Sequence, residues 1–137
     1  FLSRSSNEAF ARTAVACFAA QMDPTLGELE DIKTAVSEAV TNAIVHGYPN
    51  VLGKVLVKAK ICEGNVLEVS VKDRGRGIPD VEKARQPMFT TGGEERSGMG
   101  FTIMESFMDH IAVKSVPGKG TTVTLRKKLA PRRRQTA

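Results

Sequence analysis

The sequence has little cysteine and no long apolar run. Only two of its 137 residues are cysteines, so no disulfide framework is present, and a chain of this length buries roughly two-thirds of its unfolded surface without one. Cys17 and Cys62 both lie in apolar-patterned segments and are predicted to be buried free thiols in a reducing compartment. No apolar stretch is long enough to span a bilayer, and none has the pattern of a signal peptide. We therefore expect one cytoplasmic domain without a membrane partner.

Most of the chain also lacks an excess of positive charge, although the net charge is +5. Six of the 20 basic residues lie between positions 126 and 134, so residues 1–125 hold 14 basic and 15 acidic side chains, a net charge of −1. A nucleic-acid binder working through residues 132–134 is therefore the last-ranked function, and no direct nucleic-acid contact is expected. Residues 1–129 are predicted to form the domain, and residues 130–137 a basic, disordered tail.

Two long helices are predicted in the first third of the chain. Apolar residues recur at helical spacing over residues 7–21 and again over residues 26–46. Capping-box patterns precede both helices, Ser5 with Glu8 and Thr25 with Glu28. The residues that recur in the first helix are Phe10, Ala14, Cys17 and Phe18. In the second helix, the residues that share one stripe and are expected to face the core are Leu29, Ile32, Val36, Val40 and Ala43.

Strand patterns dominate the rest of the chain. The predicted elements are an edge-strand remnant at 1–4, strands at 54–62 and 66–72 joined by a hairpin turn, a short helix at 81–86, a loop at 87–98, a third helix opened by residues 98–100, and strands at 111–116 and 121–126. This order is not the alternation of a parallel doubly wound sheet. It favours an α+β fold, a two-layer sandwich of a mixed, mostly antiparallel sheet with helices on one face.

A carboxylate and two glycines follow the second strand of the hairpin. Asp73 ends that strand, and Gly75 and Gly77 come next at a spacing of two. Glycine lets the backbone adopt positive φ and approach a ligand closely. A fixed acceptor beside exposed backbone suits a flat, amino-bearing ring such as adenine. The same pattern also fits an ordinary glycine-rich turn, and short glycine motifs give many false positives.

Three other features accompany this motif. Glu38 and Asn42 lie four residues apart on one face of the second helix. Residues 98–100 open a helix with two glycines, and residues 120–121, Gly and Thr, enter the last strand. Taken singly, they fit a solvated helix face, a loop hinge and a β-branched strand residue. Their joint order is much harder to explain in this way.

This joint order resembles the GHKL (Bergerat-fold) superfamily of ATP-binding domains, which includes gyrase-type topoisomerases, Hsp90, MutL-type repair proteins and histidine kinases. The resemblance covers nearly the whole chain. The motifs that carry it are EAVTNAIVHG at 38–47, DRGRGIP at 73–79, SGMGF at 97–101 and GT at 120–121. The chain departs from the family in its second glycine box, which keeps only residues 98–100 of a longer GxGxG.

The resemblance implies that the ligand is ATP or ADP with Mg²⁺, and it implies a role at each matching position. Asp73 would accept a hydrogen bond from the adenine amino group, with Thr121 in support. Asn42 would help to hold Mg²⁺, and Glu38 would be the general base. Arg96 would contact phosphate from a lid at 87–97. The other implied nucleotide-binding residues are His46, Gly75, Gly77, Ile78, Ser97, Gly98, Met99, Gly100 and Phe101.

Histidine is scarce, and this narrows the choice within the superfamily. A histidine kinase needs a phospho-accepting histidine on an upstream helix, and neither His46 nor His110 is so placed. With the length of one domain, and with RQPMFTT at 85–91 and GMGFTIME at 98–105, the chain resembles the anti-sigma factor serine kinases of bacteria. The resemblance implies an inhibited RNA polymerase sigma factor, an anti-anti-sigma protein phosphorylated on serine, and a homodimer. Two alternatives stay open: an ATP-dependent sigma-binding module without phosphotransfer, and an excised histidine kinase ATP domain.

Overall fold

The computed structural model describes residues 1–85 and 100–130. These residues form a four-stranded sheet with helices packed on one of its faces. The predicted α+β sandwich is confirmed, and every strand pair in the described ranges is antiparallel. Residues 87–97 of the predicted lid, Gly98 and Met99 lie outside the described residues, and so do residues 131–137 of the predicted tail. No helix in the described ranges is both long and apolar enough to cross a membrane.

The helices and strands follow one another almost as predicted. The described helices are α1 (Ser6–Ala19), α2 (Leu26–Asn42), α3 (Val81–Arg85) and α4 (Gly100–Phe107). The strands are β1 (Val55–Cys62), β2 (Val66–Asp73), β3 (His110–Val116) and β4 (Gly120–Lys128), and they lie in the order β1-β2-β4-β3. The predicted edge strand at residues 1–4 is reduced to a single antiparallel bridge between Leu2 and Lys54.

Only one of the two predicted capping boxes forms. At the start of α2, the Thr25 hydroxyl accepts from the Glu28 amide at 3.0 Å, and the Thr25 amide donates to Glu28 Oε1 at 2.8 Å. The capping box predicted at Ser5 is wrong. Ser5 has helical dihedral angles, φ −59° and ψ −29°, whereas a capping side chain needs an extended backbone. The Glu8 carboxylate instead accepts from the Ser37 hydroxyl of α2 at 2.5 Å.

Three of the four apolar residues whose spacing predicted α1 are exposed, and of these four only Phe18 packs against the core. The buried residues of α1 are Ala11, Val15 and Ala19, whereas Phe10 is 64% exposed and Cys17 is exposed. Alanine at two of the three buried positions leaves room for α1 to pack closely against α2. Small side chains therefore fill the interface with α2, while Phe10 faces solvent. Cys62 is only half-buried, so the prediction that both cysteine thiols are buried is wrong.

The core lies between the inner face of the sheet and helices α2 and α4. Its largest fully buried side chains include Ile32, Val36 and Val40 of α2, Leu67 and Val69 of β2, Leu125 of β4 and Met104 of α4. Burying a side chain of this size contributes about 1.5–3 kcal/mol. The predicted stripe of α2 is confirmed in its centre, while Leu29 is half-buried. Ala35, which is not in the predicted stripe, is fully buried as well.

One row of the inner sheet face is polar. Asp73 of β2 lies opposite Thr121 of β4, and Thr121 lies opposite Ser115 of β3. The next row inward is made only of valines, Val71, Val123 and Val113. The polar row thus marks one end of an otherwise apolar layer, beside the end of α2.

Candidate functional site

A cavity of about 220 Å³ lies over the polar row. Its walls come from the end of α2, the inner sheet face, the loop after β2 and the first residues of α4. Most of the lining is apolar with a few polar groups, as is typical of small-molecule sites. The predicted binding residues that line it are Asn42, His46, Asp73, Gly77, Ile78, Gly100, Phe101 and Thr121.

Asp73 is the buried acidic group of this cavity. The residue is only 6% exposed, and its Oδ1 accepts from the Gly75 amide at 2.9 Å. Burial raises the pKa of Asp73 above the usual carboxyl value, although the amides of Gly75 and Thr121 act in the opposite direction. A desolvated carboxylate in an apolar wall is a strong acceptor for an amino group that replaces the lost water.

Two glycines allow the end of α2 to meet the loop that follows Asp73. A Cβ on Gly75 would lie 1.9 Å from the carbonyl oxygen of Gly47. Gly75 does not line the cavity, so its observed role is this close backbone approach. The helix was predicted to continue to residue 46, but its α-helical part ends at Asn42 and a π-helical turn, Ala43–Gly47, follows. π-turns of this kind often occur at functional sites.

Arg76 and Tyr48 hold this junction together. The Arg76 amide donates to the Gly47 carbonyl at 3.0 Å, and its Nε donates to the His46 carbonyl at 3.0 Å. These carbonyls belong to the last helical turn, where partners inside the helix are lacking. The Tyr48 hydroxyl accepts from the Arg74 amide and donates to the Lys54 carbonyl, each at 2.7 Å. The loop after β2 is therefore fixed against the π-helical turn that follows α2 and, through Tyr48, against the residue that precedes β1.

Glu38 and Asn42 meet at the start of α4. An ideal Cβ at Gly100 would lie 3.0 Å from Asn42 Nδ2, 3.2 Å from Asn42 Oδ1 and 3.4 Å from Glu38 Oε2. Asn42 lines the cavity, whereas Glu38 lines a neighbouring recess between α1 and α2 that also includes Arg12 and Ser37. The predicted catalytic carboxylate and metal ligand are thus adjacent, at the boundary between two recesses.

The donor set near Asn42 suits a cation that binds mainly through phosphate. In the described ranges, no group of three His, Cys, Asp or Glu side chains could hold a metal ion. Mg²⁺ in nucleotide sites keeps several waters and takes only one or two protein oxygens besides the phosphates. The side-chain oxygen of Asn42 therefore fits Mg²⁺ bound together with a nucleotide.

The sequence argument missed several residues of this site. Gly47, Arg76, Pro79 and Ala84 line the cavity but were assigned no binding role. Gly47, Arg76 and Pro79 stand inside the quoted motifs, so their position was a usable signal. Tyr48 and Ser115 carry no such signal, because a turn tyrosine and a strand serine are common.

Comparison with known proteins defines the family. Residues 2–127 match the model of the histidine kinase-like ATPase domain. The chain belongs to the histidine kinase-like (GHKL) ATPase family. The resemblance deduced from the motifs is thereby confirmed, and the domain is a nucleotide-binding domain of the GHKL type.

Curated GHKL relatives match over almost their whole length. The chain is 61% identical over 128 residues to the anti-sigma F factor of Thermoanaerobacter sp. (strain X514), covering 93% of this chain and 89% of that protein. It is 59% identical over 131 residues to the anti-sigma F factor of Geobacillus kaustophilus (strain HTA426), covering 95% and 90%. The sequence motifs of this chain also resemble those of the sporulation anti-sigma F factor. The names of the two relatives agree with this resemblance.

Two solved histidine kinase structures superpose on this chain. The histidine kinase domain of the Erythrobacter litoralis EL346 blue-light activated kinase superposes with a TM-score of 0.59 and 27% identity, over 75% of this chain and 45% of that one. This chain therefore spans less than half of that structure. A mycobacterial sensor histidine kinase superposes with a TM-score of 0.60 over 76% of this chain and 74% of its own, and at 21% identity it supports the fold alone.

Proposed function

We propose that the protein is an anti-sigma factor and a Mg²⁺-dependent protein serine kinase that uses ATP. It would bind and inhibit a sporulation sigma factor of RNA polymerase, and it would phosphorylate a serine of an anti-anti-sigma protein. The observation that carries the kinase proposal is the pairing of buried Asp73 in the cavity with Glu38 and Asn42 at its boundary. The sigma factor is suggested by the names of the relatives. We place the protein in the cytoplasm, as a homodimer.

The adenine ring would occupy the end of the cavity above the polar row. Asp73 accepts from the exocyclic amino group, in a charged hydrogen bond worth about 1.5–3 kcal/mol. Thr121 is 8% exposed and lines the same cavity, so its hydroxyl is available to the ring. Ile78 and Val123 supply apolar contacts to the ring faces.

The phosphates would lie between Asn42 and the beginning of α4. Gly100 and Phe101, the first two described residues of α4, line the cavity, and backbone amides in the first turn of a helix favour anions. Asn42 would hold Mg²⁺, which neutralises charge on the transferred phosphoryl group when it is bound. Arg96, Ser97, Gly98 and Met99 are further proposed phosphate contacts.

Glu38 would act as the general base. Its carboxylate takes the proton of the incoming serine hydroxyl while the serine oxygen bonds to the γ-phosphorus. The bond from the γ-phosphorus to the bridging oxygen breaks, and ADP leaves. General base catalysis by a positioned carboxylate contributes about 10²- to 10⁴-fold in rate.

A second candidate is the ATP domain of a histidine kinase. The structural likeness to the blue-light activated kinase, at 27% identity, favours it. A third candidate binds a sigma factor and ATP without any transfer, but such a module would not need Glu38 beside Asn42. The acid stability of the phosphorylated product separates the first two candidates, because phosphohistidine is acid-labile and phosphoserine is not.

The test is phosphotransfer from Mg-ATP to a candidate anti-anti-sigma protein. We expect an acid-stable phosphate on a serine of that protein. Glu38→Gln should lower the transfer rate by about 10²- to 10⁴-fold while ADP affinity stays unchanged. The matched control is Glu63→Gln, an exposed carboxylate in the hairpin turn. Near-normal transfer by Glu38→Gln would rule out Glu38 as the general base, and an acid-labile phosphate would favour the histidine kinase candidate.

A sigma-factor pull-down with and without ATP tests the anti-sigma role separately.

A further inference from the structure

Ser115 extends the polar row beyond the two residues that face the nucleotide cavity. Its hydroxyl lies 2.8 Å from the Thr121 hydroxyl on the neighbouring strand and 2.7 Å from the Ile78 amide. The Gly120 carbonyl lies further away, at 3.2 Å. Ser115 does not itself line the cavity, so any effect on a ligand must pass through Thr121 or Ile78, which do.

The number of protons limits how these groups can be arranged. A serine hydroxyl has one proton to donate and can also accept. The Ile78 amide can only donate, so Ser115 accepts there. If Ser115 donates to Thr121, the Thr121 proton is free to point into the cavity. If Ser115 donates to the Gly120 carbonyl, Thr121 must donate to Ser115 and presents only lone pairs to the ligand.

The geometry favours the first arrangement. The Ser115 hydroxyl lies 2.8 Å from the Thr121 hydroxyl and 3.2 Å from the Gly120 carbonyl oxygen, so the contact to Thr121 is the shorter one. Hydrogen bonds that run in one direction also strengthen one another. We propose that Ser115 is a positioning residue that holds the Thr121 hydroxyl as a donor toward the ring nitrogen beside the adenine amino group. The inference rests on the proposed nucleotide-binding function.

This arrangement makes the base site selective. A donor at Thr121 beside an acceptor at Asp73 fits an amino group next to an unprotonated ring nitrogen, as in adenine. Guanine and hypoxanthine present a carbonyl oxygen and an N–H at these positions, so both contacts are mismatched. A mismatch places a carbonyl oxygen instead of a donor against the buried Asp73 carboxylate, which is costly in a site built for hydrogen bonding.

The test compares ADP with 1-deaza-ADP, which keeps the amino group but has carbon in place of the ring nitrogen. Calorimetry is performed on the wild type, Ser115→Ala and Ser115→Thr. Ser115→Ala is expected to weaken ADP binding about 5- to 30-fold, as for the loss of one buried hydrogen bond. Its affinity for 1-deaza-ADP should equal that of the wild type, and Ser115→Thr should restore ADP binding. Ser70→Ala, on the outer face of β2, is the matched control and should leave both ligands unaffected.

Two outcomes would overturn the role of Ser115. Equal weakening for both ligands would show that Ser115 only supports the Ile78 loop, and unchanged ADP affinity would show no role at all. If Ser115→Ala is not folded by circular dichroism, Ser115→Cys, with a weak donor of similar size, is measured in the same way. Failure of the wild type to bind ADP would instead refute the proposed function and, with it, this inference.

Discussion

Gly47 and Asp73 are so close together that a Cβ on Gly47 would lie 2.8 Å from the carboxyl carbon of Asp73. The two residues are distant in sequence, one at the end of the π-turn and the other at the end of β2. The position of the buried carboxylate therefore depends on the absence of a side chain at Gly47.

Gly47→Ala is expected to disable nucleotide binding without unfolding the domain. The added methyl group must displace the Asp73 carboxylate, and we expect ADP affinity to fall by at least about tenfold, equivalent to ~1.4 kcal/mol. Isothermal calorimetry measures this, with circular dichroism as the folding check. Gly27→Ala is the control, since its Cβ would meet its nearest neighbour at an ordinary 3.9 Å. ADP binding of wild-type strength by Gly47→Ala would contradict the requirement.

Asp73→Asn should stabilise the unliganded protein at neutral pH while abolishing ADP binding. Burial raises the pKa of Asp73 above its usual 3.8, so the stability of the wild type falls as the pH rises from 3.8 through the raised pKa. Asparagine keeps the shape and removes this titration. The variant is therefore expected to unfold at higher urea than the wild type at pH 7, with a smaller difference near pH 3.5. If Asp73→Asn is no more stable than the wild type at pH 7, or if its gain in stability is larger near pH 3.5, burial does not destabilise the Asp73 carboxylate.

Thr25→Ala should lower the free energy of unfolding by about 1 kcal/mol, because it removes the cap of α2. Thr25→Ser keeps the capping hydroxyl and should remain near the wild-type value in urea unfolding. Glu28→Ala should cost more than Thr25→Ala, since Glu28 Oε2 also accepts from the Ala130 amide at 2.9 Å. Equal losses for the two alanine variants would mean that the contact to Ala130 adds nothing.

Tyr48→Phe should destabilise the domain by about 1–3 kcal/mol, because it leaves the Arg74 amide and the Lys54 carbonyl without their partner. The aromatic ring remains, so the loss isolates the hydroxyl. Chemical unfolding gives the stability change, and ADP calorimetry shows whether the loop after β2 has shifted. A variant as stable as the wild type would indicate that water replaces the hydroxyl.

The sequence predicted the elements of the fold well where local chemistry decides. Strand alternation located β1 and β2, and the Thr25 cap located the start of α2, because both depend on neighbours in the chain. The orientation of α1 was not predictable in this way. Its sequence offers an aromatic face and an alanine face, and the choice depends on how closely α2 approaches.

The residues of the candidate site also fall into those that local sequence identifies and those that depend on tertiary contacts. Asp73, Asn42 and Thr121 were identifiable because their side-chain chemistry and their motifs point to a ligand. The packing requirement at Gly75 depends on the carbonyl of Gly47 on another element. The hydroxyl of Ser115 likewise gains its place only when β3 pairs with β4. Such relationships arise from tertiary contacts and produce no periodic pattern in the amino-acid sequence.

Glu38 lines the recess between α1 and α2, while Asn42, one turn further along the same helix, lines the nucleotide cavity. On the proposed kinase function, a protein substrate in the recess and a nucleotide in the cavity would therefore reach this pair of residues from different sides. Neither would have to depart before the other arrives, so the two substrates would be free to add in either order. Steady-state kinetics should accordingly give intersecting double-reciprocal lines, the signature of a ternary complex, rather than parallel ones.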